Sequence, residues 1–163
     1  MGLGRVYLSK HLPKEALAEF QSALAADPQQ VRALNGAGIA LDLLGRAREA
    51  QKSYRAALTI KPDDRAVRSN LGLSLALSGD YDQAIAELSK LTLDPGATSR
   101  MRHNLALALG LKGDDAAAAK VEHADLDDKT IAENQRFFAA VRRADVRGSA
   151  LYIEDRATNP PKP

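Results

Sequence analysis

The 163 residues are 45% hydrophobic and 27% charged, a balance that belongs to a folded chain rather than a disordered one. A formal charge of +2 gives no electrostatic reason to invoke nucleic acid or a lipid surface. The chain has no cysteine, which excludes disulfides, thiolate metal sites and thiol nucleophiles, and no run approaches the ~18 apolar residues that a bilayer span requires.

Taken in order, the apolar spacing predicts helices at residues 2–10, 13–26, 29–44, 47–60, 64–78, 81–92, 98–112, 115–124 and 128–145. Counting back from Gly4, the chain begins partway through the first helix of a repeat. Terminal repeats ordinarily carry a polar outer face. Either a leader or further helices are therefore expected before Met1, or the short helix caps the stack alone or beneath a second copy of the chain. Pro28 and Pro62 end the second and fourth helices, since proline clashes with the preceding turn. Asp63-Asp64, Asp80, Asp114-Asp115 and Asp127-Asp128 each precede a helix and are read as N-terminal caps rather than catalytic pairs. Asp125, Asp127 and Asp128 fail the calcium-loop spacing, with Arg136 where the closing glutamate belongs.

One period runs through these elements. Ala16, Ala50, Ala84 and Ala118 stand 34 residues apart, as do Gly4, Gly38, Gly72 and Ala106, and Tyr7, Leu41, Leu75 and Leu109. Small residues at fixed places let helix backbones approach, and a large neighbour fills the space beside each. Bulky residues follow in the second helices at Phe20, Tyr54 and Leu88. A 34-residue period of this kind is the tetratricopeptide-repeat signature. The predicted fold is all-α: an α-solenoid of antiparallel helix pairs. Its domain covers 1–145, with repeats at about 1–30, 31–64, 65–97 and 98–126.

The later units depart from the pattern. Repeat three closes irregularly at Asp94-Pro95-Gly96-Ala97, after which Thr98 or Ser99 can cap the next helix. In repeat four, Glu122 and Asp125 replace residues equivalent to Tyr54 and Ala57, so packing is expected to change there. The last helix, 128–145, begins at Asp127 or Asp128, offers Thr130-x-x-Glu133 as a capping box, and carries an apolar stripe of Ile131, Phe137, Phe138 and Val141. It is read as a cap over repeat four in preference to a basic amphipathic helix for a membrane or partner. An extended tail over 146–163, with Asn159-Pro160-Pro161, is expected to lie along a groove of this chain or of a neighbour.

Stacked helix pairs form a concave groove lined by the first helix of each pair. In this register it presents Arg5, Arg32, Asn35, Ile39, Asp42, Ser69, Asn70, Leu73, Leu77, Arg100, His103, Asn104, Leu107 and Leu111. Asn70 and Asn104 recur at one position and are suited to hold a peptide backbone. Arg32 and Arg100 are suited to a carboxylate. The asparagines resemble in part the carboxylate clamp of chaperone-binding tetratricopeptide domains, a resemblance that implies a basic residue in repeat three, where Ala66 stands. His11, His103 and His123 are scattered over the register, and Gly36-x-Gly38 lies inside a helix rather than in a phosphate loop. No catalytic residue, cofactor or metal is therefore assigned. A protein or peptide is the expected ligand, nucleic acid is not, and a homo-oligomer is compatible with the pattern.

A narrower resemblance rests on Asp94-Pro95-Gly96-Ala97-Thr98-Ser99-Arg100-Met101-Arg102-His103-Asn104-Leu105-Ala106-Leu107, Gly113-Asp114, Ala124-Asp125-Leu126 and a terminal helix with Asn134 and Phe137-Phe138. Over residues 13–145 the chain resembles TadD-type proteins of the bacterial Flp (Tad, tight adherence) pilus assembly system. The resemblance implies a non-catalytic protein that assists pilus assembly by handling an outer-membrane secretin. It implies a periplasmic, outer-membrane-associated place if a lipoprotein leader precedes Met1. Otherwise the expectation is a cytoplasmic adaptor or co-chaperone.

Overall fold

Small residues on facing helices draw the chain into a pile of helical hairpins. The computed structural model describes residues 2–144, and the tail expected over 146–163 lies outside the described residues. Among the described residues the order is α1 (Gly2–Ser9), α2 (Pro13–Ala26), α3 (Val31–Leu43), α4 (Ala47–Ile60), α5 (Arg65–Leu77), α6 (Tyr81–Thr92), α7 (Ser99–Lys112), α8 (Asp115–Glu122) and α9 (Asp128–Ala144). Consecutive helices pack on each other from α1 through α8. First helices also touch the first helix of the next pair, α1 on α3, α3 on α5 and α5 on α7, whereas second helices do not pack on one another to that extent. The helices that lie closer together form the inner side of the curve, so α1, α3, α5 and α7 line the concave face.

The 34-residue period has a direct physical counterpart. Ala16, Ala50, Ala84 and Ala118 are each 0% exposed, wedged where two helices cross. A methyl group on Gly4 would lie 2.8 Å from the Phe20 ring, one on Gly72 would lie 2.5 Å from Leu88 Cγ, and one on Gly38 would run into the Tyr54 ring. In the first three hairpins a missing side chain on the first helix makes room for the large residue of the second. In repeat four the pair is Ala106 and Glu122, and Glu122 is as buried as its apolar counterparts.

The turn inside each hairpin repeats as well. Backbone N–H groups of Leu12, Arg46, Asp80 and Asp114 donate to the carbonyls of Tyr7, Leu41, Leu75 and Leu109 at 2.9–3.0 Å. This closing bond requires a left-handed residue just before the donor. Gly45, Gly79 and Gly113 supply it, while His11 holds φ 55 in the first hairpin.

Several boundaries differ from expectation for local reasons. The third helix starts at Val31 rather than 29, because Asp27 Oδ1 accepts the Gln29 N–H and forms a turn. Asp64, Asp114 and Asp127 cap their helices by accepting N–H groups at 3.2, 3.0 and 2.8 Å, but Asp80 makes no side-chain cap bond. Thr98 caps α7, leaving Ser99 free to donate to Asp125. Thr130 is not the cap of α9: its own N–H is the group that Asp127 receives, so the expected box with Glu133 does not form. The eighth helix ends at Glu122 rather than 124. Asp125 there turns out to accept Arg102 Nε and Nη2, both at 2.6 Å, which ties the turn to the start of α7.

The last helix lies on α7 and α8. Ile131 and Phe138 are buried, and Phe137 and Val141 pack against the core. Of its four basic residues, Arg142 is turned onto the stack, gripping Asp115 through two bonds of 2.8 and 2.9 Å and donating to the Gly110 carbonyl, while Lys129, Arg136 and Arg143 are exposed.

Candidate functional site

The inner face divides into an open part and a closed part. At its N-terminal end, Arg5 and Leu8 of α1 stand across an open cleft from Arg32, Asn35 and Ile39 of α3. The cleft measures about 640 Å³. Phe20 of α2 reaches its lining from below. The ring fits between α1 and α3 because Gly4 and Gly36 have no side chain to collide with it. Both arginines are exposed, neither has a carboxylate partner among the described residues, and no acidic residue lines the cleft. The result is an apolar floor with two cations at its rim and one polar group, Asn35, in its wall.

Further along, the groove positions are turned inward. Asn70 Nδ2 donates to Asn35 Oδ1 at 2.9 Å, and Asn104 Nδ2 donates to Ser69 Oγ at 3.0 Å. Each bond joins a first helix to the residue 35 earlier on the previous first helix. Arg100 Nη2 adds a 3.3 Å bond to Asn70 Oδ1, so α3, α5 and α7 are laced in one row. Ser69, Asn70 and Asn104 are buried at 4%, 8% and 2% exposure, and Leu107 and Leu111 are buried too. Asn70 and Asn104 therefore do not offer free amides to a peptide backbone, as their recurrence had led us to expect; they hold neighbouring repeats in register. Leu73 and Leu77 are half-buried and pack against the core.

Asp42 belongs to a second inter-repeat lattice. It accepts the Tyr54 hydroxyl at 2.9 Å and the Ser74 hydroxyl at 2.7 Å. Burial, together with the adjacent Asp42 charge, pushes the Tyr54 hydroxyl well above its ordinary pKa. Arg100 remains exposed at the far end of the row. His103 beside it is half-buried, and burial lowers its pKa against the opposing pull of Asp125.

Of the sequence-derived set, Arg5, Arg32, Asn35 and Ile39 come together in one cleft. Arg100 and His103 lie two first helices away on α7, so Arg32 and Arg100 are separated by α5. Leu8 and Phe20 were absent from that set. Phe20 was legible as a bulky position of the second helix, but its role in the groove depends on Gly36, whose repeat equivalents are Asn70 and Asn104. Among the described residues no three His, Cys, Asp or Glu side chains come together as a metal site, and no helix is long and apolar enough to cross a membrane.

Comparison with known proteins agrees with the repeat geometry. Two family models described as tetratricopeptide repeat match the chain, one over residues 1–65 and the other over residues 43–108. No curated protein matches it.

Proposed function

This chain belongs to the tetratricopeptide-repeat proteins, and from that premise we propose that it is a non-catalytic scaffold that receives a protein segment in the cleft between α1 and α3. The observation that carries this reading is the pairing of an apolar floor with two arginines that have no carboxylate partner among the described residues. Apolar surface supplies affinity and the cations supply orientation. Burying Leu8 and Ile39 under a ligand side chain contributes roughly 25 cal/mol per Å² covered. Nothing in the cleft resembles a nucleophile with its base.

The biological setting rests on the likeness of Asp94–Leu107 and the terminal helix to TadD-type proteins. It supports a role in Flp/Tad pilus assembly with an outer-membrane secretin as the partner, on the periplasmic side of the outer membrane. Co-purification of the tagged chain with a secretin tests this setting. Capture that disappears in an Arg5→Glu plus Arg32→Glu variant, and persists in a Lys52→Glu control on α4, places the contact in the cleft. Capture that survives the double variant moves the contact elsewhere, and absence of any secretin removes the pilus assignment while leaving the scaffold reading.

A further inference from the structure

We infer that the cleft between α1 and α3 is occupied in the free protein by the chain's own C-terminal segment Leu151-Tyr152-Ile153-Glu154-Asp155. This inference rests on the cleft geometry and goes beyond its use by a partner.

Three observations converge. The first is chemical fit. The cleft is apolar at Leu8, Ile39 and Phe20, and cationic at Arg5 and Arg32. Residues 145–163 contain one run with the complementary character, three large apolar residues followed directly by two carboxylates.

The second is direction. Arg142 near the end of α9 donates to the carbonyl of Gly110, at the C-terminal end of α7. The chain therefore leaves α9 at the end of the stack where first helices finish. Leu8 and Ile39 lie in the C-terminal parts of α1 and α3, toward that same end, while Arg5 and Arg32 lie nearer the helix starts. A segment entering from that end meets the apolar positions first and the arginines second, the order in which Leu151–Ile153 and Glu154-Asp155 arrive.

The third is reach. Packed helices are about 8–10 Å apart, so three to four steps from α9 to the cleft span roughly 30 Å. Ile153 is nine residues beyond Ala144, and an extended chain covers ~3.3 Å per residue, again roughly 30 Å. A partner then binds by displacing the segment, which sets a threshold on capture.

The absence of cysteine makes the test direct. Ser149→Cys provides a single attachment point for a nitroxide on the full chain. Loss of the amide signals of Arg5, Leu8, Arg32 and Ile39, recovered on reduction of the label, is the expected result. Arg5→Glu plus Arg32→Glu should abolish that loss with helicity unchanged, and adding Glu154→Lys plus Asp155→Lys should restore it. Undiminished cleft signals in the folded, labelled chain overturn the inference. So does signal loss that appears only on an isotope-labelled, spin-free copy mixed with the nitroxide-bearing chain, since that assigns the segment to a neighbour's cleft. Neither result touches the scaffold reading, which is decided by partner capture.

Discussion

The amide of Asn104 donates to the hydroxyl of Ser69 across the boundary between α7 and α5, inside the protein at 3.0 Å. Asn70 repeats the gesture one unit earlier toward Asn35. These bonds fix how far one repeat slides on the next, because an amide shifted by a single residue along the facing helix would lose its acceptor. A buried polar group left without its partner costs about 1–3 kcal/mol. Asn104→Ala is therefore expected to destabilise the protein by that amount, measured by urea unfolding. Ser69→Ala should have a similar effect, and the double variant should lose less than the sum. Strict additivity would show that the two side chains are not coupled.

Gly72 is needed for its emptiness rather than for its backbone freedom. It lies within helix α5, and a methyl there would stand 2.5 Å from Leu88 Cγ. Leu88 is itself 0% exposed and has no open space to move into. Helix propensity alone favours alanine over glycine by ~1 kcal/mol, so the two effects compete. Overpacking of a close-packed crossing costs about 1–3 kcal/mol, and we expect it to win. Gly72→Ala should lower the thermal midpoint, and Gly72→Ala with Leu88→Ala should recover part of the crossing at the expense of a cavity. A higher midpoint for the single variant would contradict the packing account.

The repeat architecture was legible because each of its marks reports a local steric requirement. A glycine beneath a bulky residue, a buried alanine at a crossing and a left-handed turn residue all recur every 34 positions. The groove was less legible, because periodicity says which face a residue occupies but not whether the next repeat covers it. Ile39 stays half-open above the cleft, while Leu107 and Leu111 on the same face of α7 are buried. Likewise, Asn35, Asn70 and Asn104 look alike as polar residues on first helices. Only the stacking distance between α3, α5 and α7 decides that two of them are stitches and that one also lines an opening.

His11 occupies the position that Gly45, Gly79 and Gly113 fill in the later hairpins, with φ 55 against 72, 88 and 103. A side chain in this region costs on the order of 1 kcal/mol, because Cβ crowds the following carbonyl. His11→Gly removes that strain but adds freedom to the unfolded chain, which offsets part of the gain. The net expectation is stabilisation of roughly 0.5 kcal/mol, read as slower amide exchange in α1 and in the first turn of α2. His11→Val, with a branched Cβ, should accelerate exchange in the same segment and leave α5–α9 unaffected. Equal exchange in all three proteins would mean that the first hairpin does not sense this residue.

Glu122 stands where Phe20, Tyr54 and Leu88 stand in the other hairpins, at 2% exposure. Asn134 of α9 donates to its Oε1 at 2.7 Å, while Oε2 is buried without a partner among the described residues. Burial raises its pKa above the ordinary 4.5, against the lowering pull of the Asn134 bond and of the His123 charge. The folded protein therefore holds this proton more tightly than the unfolded chain does. The resulting stability is fully present below pH 4.5 and is lost as pH rises through the elevated value of the folded state. His103 works the other way: its lowered pKa means that stability falls as pH drops from 6.5 through its folded-state value. Glu122→Gln keeps the shape and the Asn134 contact while removing the titration. At pH 7 it is expected to be more stable than the parent by about 1 kcal/mol, the scale of an unpaired buried polar group, and the difference should vanish near pH 4. Urea midpoints at both pH values, with exchange protection of α9 as the local readout, check this. An advantage of the same size at both pH values would mean that the carboxyl is not the titrating group.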